Sequence, residues 1–181
     1  MPLPAEDIEM LIDGCKKNDR KAQEQLYRAF HGSMAAICMR YTKHQPDAMS
    51  VLNQGFLKIF LKISQYDKVR GTLSTWMRNI MVHESIDFLR KQSGFNSRHG
   101  ILISEESPIE SDALQKINAD ALLALIRLLP AATQLVFNLY TVEGFGHREI
   151  GDMLKISEAT SRWHLSEARK QLKKSLMVLE K

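Results

Sequence analysis

The stretch that most constrains this chain is HREIGDMLKISEATSRWHLSEARKQL, from His147 to Leu172. Ile150 and Leu154 lie four apart, on one face of a first helix. Gly151 beside them leaves room for a second helix to pack closely. Lys155-Ile156 breaks the periodicity, and Ser157 is placed to cap the next helix by accepting a backbone N–H. That second helix carries Ser161, Leu165, Ala168 and Leu172 on one stripe, with Arg162, Ser166 and Arg169 on a flank. The spacing predicts a helix-turn-helix whose second helix fits a DNA major groove. An ordinary amphipathic hairpin would share the stripe and the basic face, so the rest of the chain has to decide.

At 181 residues the chain has room for one or two small domains, each with its own core. Hydrophobic residues at 44% and charged residues at 25% fit a globular protein. A net charge of +4 and a pI near 9.1 lean towards an anionic partner, though distribution says more than the sum. Cys15 and Cys38 have no metal-pair spacing, so neither a zinc site nor a disulfide framework is expected. The opening MPLPAEDIEMLIDG contains acids and lacks the apolar core of a secretory signal. No run approaches the ~18 apolar residues of a membrane span. The expectation is a soluble, cytoplasmic, monomeric protein without membrane insertion.

From Glu6 to Arg90 nearly every segment has helical periodicity. Ile8, Leu11 and Ile12 start a stripe, with Gly14 and Lys16–Asp19 marking its end. A second helix follows from Lys21, with Leu26, Phe30, Ala35, Ile37 and Met39 facing inwards and an interruption possible at Gly32-Ser33. His44–Asp47 reads as a turn, with Asp47 capping the next helix, Ala48–Ile63. There Leu52, Phe56, Ile59 or Phe60, and Ile63 form one apolar line, and Met49, Asn53 and Leu57 a second. Such a helix either sits deep in its domain or offers one face to a partner.

The loop SQYDKVRG (64–71) joins an aromatic to two cations and a glycine, a composition suited to single-stranded nucleic acid and also common in surface connections. A helix over Thr72–Lys91 follows, with Leu73, Trp76, Met77, Ile80, Met81, Phe88 and Leu89 apolar and Arg78, Asn79, His83 and Arg90 as polar contact candidates. Lys58, Lys62, Lys68, Arg70, Arg78, Arg90 and Lys91 outnumber Asp67, Glu84 and Asp87 in this region. Between Gln92 and Asp120 the balance reverses, with Arg98 and Lys116 facing Glu105, Glu106, Glu110, Asp112 and Asp120. Gly94, Gly100, Pro108 and several serines make 92–111 the linker candidate. This acidic linker either stays off DNA or competes for DNA-binding surfaces.

The expected architecture is all-α: a helical domain over 1–91, a flexible linker over 92–111, and a helix-turn-helix domain over 112–181. In the latter, Leu114, Ile117, Ala121, Leu122, Leu125, Ile126 and Leu129 predict a helix ended by Pro130. Thr133–Tyr140 predicts another, packing through Leu135, Val136, Leu139 and Tyr140.

Four blocks in this order, AQEQLYRAF (22–30), DAMSVLNQGFLKIFLKI (47–63), GTLSTWMRNIMVHESIDFLRK (71–91) and the long run from Leu125 to Leu172, resemble the extracytoplasmic-function (ECF) sigma factors of bacterial RNA polymerase. The resemblance covers about Ala22 to Leu176. It implies that helix 47–63 docks on core polymerase, with Asp47, Met49, Ser50, Asn53, Gln54 and Leu57 as contact candidates. It implies that the loop and the helix after it melt the −10 element and capture its non-template strand, through Tyr66, Lys68, Arg70, Arg78, Asn79 and His83. Trp76 would support this surface from the core. The C-terminal domain would read the −35 element with Thr160, Ser161, Arg162, Trp163, His164, Ser166, Glu167 and Arg169, its first helices also touching the polymerase flap. Core RNA polymerase, double-stranded promoter DNA and its melted strand are the implied partners. An anti-sigma factor covering the apolar faces is a further one. No cofactor, metal or catalytic residue is implied.

The chain departs from the family pattern in places. Met49, Ser50, Asn53 and Gln54 stand where relatives usually carry an acidic pair and a Gln-Glu pair, so docking should rest on Met49 and Leu57 packing more than on ion pairs. Lys155 replaces a common glycine suited to left-handed geometry, at a cost of ~1–2 kcal/mol if that geometry is kept. Ser161 replaces valine, which should loosen the second helix, and Glu167 stands where a base is common.

Other functions find less support. His31, His44, His83, His99, His147 and His164 are scattered without ligand spacing, and no phosphate loop, nucleophile elbow or carboxylate pair occurs. The serious alternative is a helix-turn-helix regulator that acts with another sigma factor.

Overall fold

A computed structural model describes residues 5–42, 44–92 and 119–179 of the chain. All regular structure among the described residues is helical. The chain divides into two compact units, Met1–Leu89 and Arg90–Lys181. The linker expected over 92–111 lies outside the described residues apart from Gln92, as do Leu114 and Ile117.

In the first unit α1 (Ala5–Lys16), α2 (Arg20–Tyr41) and α3 (Gln45–Lys62) lead through a 3₁₀ turn (Ile63–Gln65) and a loop to α4 (Leu73–Gln92). α2 packs against both α1 and α3. Leu52, Phe56 and Ile59 of α3 and Ile63 of the turn after it recur at three- and four-residue steps and are buried with Val51, so one full face of α3 is core. Met77, Met81 and Val82 of α4 and Leu26 and Met34 of α2 are fully buried as well. Each such side chain contributes roughly 1.5–3 kcal/mol by leaving water. At Gly55 a Cβ would lie 2.3 Å from the Met81 sulfur, and Met81 has no exposed surface into which to retreat. The glycine therefore sets how closely α3 approaches α4.

Three expectations are corrected in this unit, on α2 and α3. α1 passes through Gly14 and ends at Lys16, inside the expected Lys16–Asp19 cluster, and the break comes at Asn18, which adopts φ 58°, left-handed geometry that asparagine tolerates. Asp19 then caps α2, its Oδ1 accepting the Lys21 N–H at 2.9 Å. Gly32-Ser33 does not interrupt α2, whose 22 residues run unbroken, and Met39 is 40% exposed. Asp47 does not cap α3: the helix begins at Gln45 behind His44, which places Pro46 and Asp47 in the first turn. Proline fits there because its missing N–H would have no helical partner.

The second unit contains α5 (Ala119–Arg127), α6 (Ala131–Phe137), a π-helical turn (Asn138–Val142), α7 (His147–Leu154) and α8 (Glu158–Leu179). Pro130 separates α5 from α6, as its lack of an N–H dictates. α8 is the central element and packs on α5, α6 and α7. Leu125, Ile126 and Leu129 of α5 meet Ala168 and Leu172 of α8, with Phe137 and Leu176 at the margin. The helix expected to stop at Tyr140 runs on to Val142 by widening into the π turn, and the Phe145 N–H then bonds the Leu139 carbonyl at 3.0 Å.

Candidate functional site

The turn between α7 and α8 is built from four residues. At Gly151 a Cβ would lie 2.8 Å from the Ile156 carbonyl oxygen, a backbone atom that cannot give way. Only glycine lets the chain fold back this tightly. Lys155 takes φ 58° and ψ 41°, left-handed geometry, and its N–H and that of Ile156 both reach the Gly151 carbonyl. The strain expected of a non-glycine residue is therefore present, about 1 kcal/mol or more. Ser157 caps α8: its Oγ accepts the Thr160 N–H at 3.0 Å and contacts Thr160 Oγ1 at 2.8 Å. Gly146 opens α7, its N–H donating to Glu149 Oε2 at 2.8 Å.

Ser161 requires two corrections. It is fully buried, so it cannot touch DNA while α8 keeps this packing. Nor is the helix loosened there, because Ser161 Oγ pairs with His147 Nδ1 of α7 at 2.9 Å. Valine could fill this site but not bond across it. The His147 ring stacks on Tyr140 at 4.5 Å, and the Arg169 guanidinium stands 6.0 Å from the Tyr140 ring centre. Burial lowers the His147 pKa below the usual imidazole value; the charges of Arg162 and Arg169 push the same way and Glu158 opposes them. One turn further on, His164 Nδ1 meets Thr133 Oγ1 of α6 at 3.1 Å. Burial lowers the His164 pKa too. Two neutral imidazole links, one to α7 and one to α6, thus bracket Arg162 and Trp163.

The opposite face of α8 is open. Trp163 is 60% exposed, in a T-shaped contact with His164 and away from the buried Leu165–Ala168–Leu172 stripe. Arg162, Ser166 and Arg169 are exposed, while Thr160 and Glu167 are half-buried. Arg162 donates to Glu158 one turn earlier, and Glu167 accepts from Gln171 Nε2 at 2.8 Å.

The first unit presents two surfaces. On α3, Met49, Ser50, Asn53, Gln54 and Leu57 all lie off the core: Met49 is half-buried, the others exposed, with Leu57 at 59%. Leu61, 72% exposed, extends this line by one turn. Its i+4 spacing from Leu57 was the available signal. Asp47 is half-buried at the start of the helix. Lys58 of α3 forms an ion pair with the buried Glu84 of α4, joining the two helices.

The second surface is the loop after the 3₁₀ turn together with α4. Tyr66 packs on Trp76 at 5.7 Å, and its hydroxyl donates to the Gly71 carbonyl at 3.0 Å. Lys68 is drawn to Glu9 of α1, 2.8 Å away, while Arg70 lies 3.6 Å from Asp67. Asn79 and His83 are exposed on α4 and Arg78 is half-buried. His83 Nδ1 donates to the Asn79 carbonyl one turn earlier at 2.7 Å.

Burial pushes both cysteine thiols up to about 11, so neither is a ready nucleophile. Among the described residues no helix is long and apolar enough to cross a membrane.

Comparison with known proteins gives these surfaces a context. Residues 26–95 match the model of Sigma-70 region 2, and residues 119–172 that of Sigma-70 region 4. The chain is 22% identical over 152 residues to the ECF RNA polymerase sigma factor SigM of Bacillus subtilis, covering 83% of this chain and 92% of that one. It is 25% identical over 172 residues to the probable RNA polymerase sigma factor RfaY of Xanthomonas campestris, a longer protein of which it spans 42%. Among solved structures, the fold resembles RpoE of Bartonella quintana in complex with the anti-sigma factor NepR, with TM-score 0.54, 15% identity and coverage of 86% and 96%. It also resembles CnrH bound to the cytosolic domain of CnrY, with TM-score 0.50, 16% identity and coverage of 93% and 96%. With both sigma regions present in order on two helical units, the chain belongs to the extracytoplasmic-function sigma factors, which bind core RNA polymerase and direct promoter-specific transcription initiation.

Proposed function

We propose the following division of labour. The second unit reads the −35 element with the open face of α8, and the first unit holds core polymerase through α3 and opens the −10 element through the 66–71 loop and α4. The observation that carries the reading is the outward Trp163 flanked by Arg162, Ser166 and Arg169, directly opposite a buried stripe. An indole offers an apolar edge to a thymine methyl, and Arg162 matches a guanine edge or a phosphate. Glu167 accepts from a cytosine N4 or excludes other promoters. Thr160 and His164 support the helix rather than the DNA, since each is engaged with a protein partner.

On the first unit, Met49, Leu57 and Leu61 are the apolar anchors for core polymerase, with Ser50, Asn53 and Gln54 as a neutral rim and Asp47 at the helix start. Tyr66, Arg70, Arg78, Asn79 and His83 face the −10 element. The chain contributes no catalysis: phosphodiester synthesis stays with the core enzyme. Its place of action is the cytoplasm, and an anti-sigma factor covers the exposed apolar faces until a signal arrives. Both solved relatives named above are held by partner proteins, which supports that last element.

The test is transcription with purified bacterial core polymerase on promoters found by mapping start sites after overproduction of the chain. Shared upstream sequence at two spaced elements is the expected result. Arg162→Ala should relax one base position of the upstream element if Arg162 reads a base edge, and weaken all promoters evenly if it holds a phosphate. Variants of α8 that leave both promoter affinity and promoter choice untouched would overturn the assignment.

A further inference from the structure

Val69, at the tip of the 66–71 loop, is 89% exposed, the most exposed large apolar side chain among the described residues. A flexible tip would hide such a group or let it wander, but this loop is held at several points. Asp67 Oδ1 accepts the Val69 N–H at 2.9 Å, and the Asp67 carbonyl accepts the Arg70 N–H at 3.1 Å. The stem is closed by the Tyr66 hydroxyl on the Gly71 carbonyl and by the Tyr66 ring on Trp76. Gly71 has φ 152°, which a side chain would strain. From outside the loop, Glu9 of α1 holds Lys68 across 59 positions of sequence. Valine itself is stiff at χ1, so the tip presents one shape.

A solvated surface turn needs neither an apolar tip nor a tether to a distant helix. An apolar group between Lys68 and Arg70, on a rigid frame beside the −10 surface, matches the wedges by which proteins part stacked bases. We propose that Val69 is a strand-separating wedge that enters the base stack as the −10 element opens, and that Lys68 is a tether to α1 through Glu9 and not a phosphate ligand. Arg70, held only loosely by Asp67, neutralises the neighbouring phosphate. Asp67 and Glu9 are positioning residues for the wedge. The inference rests on the reading of this loop as the −10 surface.

The test uses the full chain with core polymerase on a promoter carrying 2-aminopurine in the non-template strand of the −10 element. Opening is timed on the duplex and on the same promoter with that element mismatched, hence already open. Val69→Gly and Asp67→Ala should slow opening of the duplex on the order of tenfold and leave the mismatched template unchanged. Asp67→Asn keeps an oxygen acceptor and should restore the rate. Glu9→Ala and Lys68→Ala should slow opening alike, and the double variant no more than either. Equal loss on both templates would make Val69 merely structural and overturn the wedge, as would no loss on either. Lys68→Ala weakening both templates while Glu9→Ala strengthens them would make Lys68 a phosphate ligand. Replacing 66–71 by glycine and serine separates the two levels. If that replacement slows opening and Val69→Gly does not, the wedge alone fails; if neither does, the loop is not the −10 surface.

Discussion

α3 and α8 are both long amphipathic helices with one face in a core, and they differ in what they leave outside. α8 shows an indole among cations and hydroxyls, Trp163 with Arg162, Ser166 and Arg169. α3 shows Met49, Leu57 and Leu61 separated by neutral polar side chains. The first suits a polyanion with readable edges, where charge supplies affinity and a few contacts supply choice. The second suits another protein, where burial of apolar anchors supplies the affinity. The same helical geometry is thus turned towards two partner chemistries by the residues of one face.

The largest effect is expected on α3. Leu57→Asp should cost core binding about 2–4 kcal/mol, since it removes an anchor and puts an unpaired charge in the contact. Titration of core polymerase with labelled chain measures this, and α8 should bind promoter DNA as before. A smaller effect is expected from Trp163→Ala or Arg162→Ala, about 1–3 kcal/mol on the cognate upstream element. If Arg162 reads a base edge, the loss falls at one base position in a competition assay; if it holds a phosphate, the loss is uniform across promoters.

Salt sharpens the contrast. DNA binding by the second unit should weaken steeply as salt rises, because cations on α8 release counterions from the phosphates. Core binding through α3 should weaken less than in relatives that carry the acidic pair at 49 and 50 and the Gln-Glu pair at 53 and 54. Parallel salt titrations against both partners decide this, and equal slopes would refute the apolar account of α3.

Acid should act on the second unit and spare α3. His147 and His164 have pKa values lowered in the folded state, so the unfolded chain takes up their protons first. Their contribution to stability is complete above the ordinary imidazole value near 6.5 and declines as pH falls from there through the lowered native values. Hydrogen exchange of α8 amides should quicken across that window, and the His147→Gln, His164→Gln pair should flatten the response. The smallest effects belong to the turn. Lys155→Gly should raise stability by about 0.5–1 kcal/mol, the relief of left-handed strain set against a more flexible unfolded chain. Ser157→Ala should lower it by ~1 kcal/mol with the loss of the cap. Thermal or denaturant unfolding reads both.

What could be read in advance depended on how local the cause was. The α7–turn–α8 path was legible because periodicity, Gly151 and the Ser157 cap all act within a few residues of one another. The strain at Lys155 was legible as a departure from a glycine position. The Ser161 pairing was not: its partner lies on another helix, 14 positions away, and periodicity cannot tell a buried hydroxyl with a partner from a weak core residue. The same holds for Lys58 with Glu84, 26 positions apart, and for Glu9 with Lys68, 59 apart. The close approach at Gly55 depends on Met81 of α4, which helical periodicity does not reveal. The π turn after α6 has no period that a short apolar run would reveal. Local signals therefore located the surfaces, and long-range polar links hold them in shape.

The most direct test of this division is a paired assay, in which Leu57→Asp and Arg162→Ala are each measured for core affinity and for upstream-element preference. Leu57→Asp should lose core polymerase with its DNA preference intact, and Arg162→Ala should keep core affinity and change promoter choice. Loss of core polymerase by Arg162→Ala, together with changed promoter choice in Leu57→Asp, would contradict it.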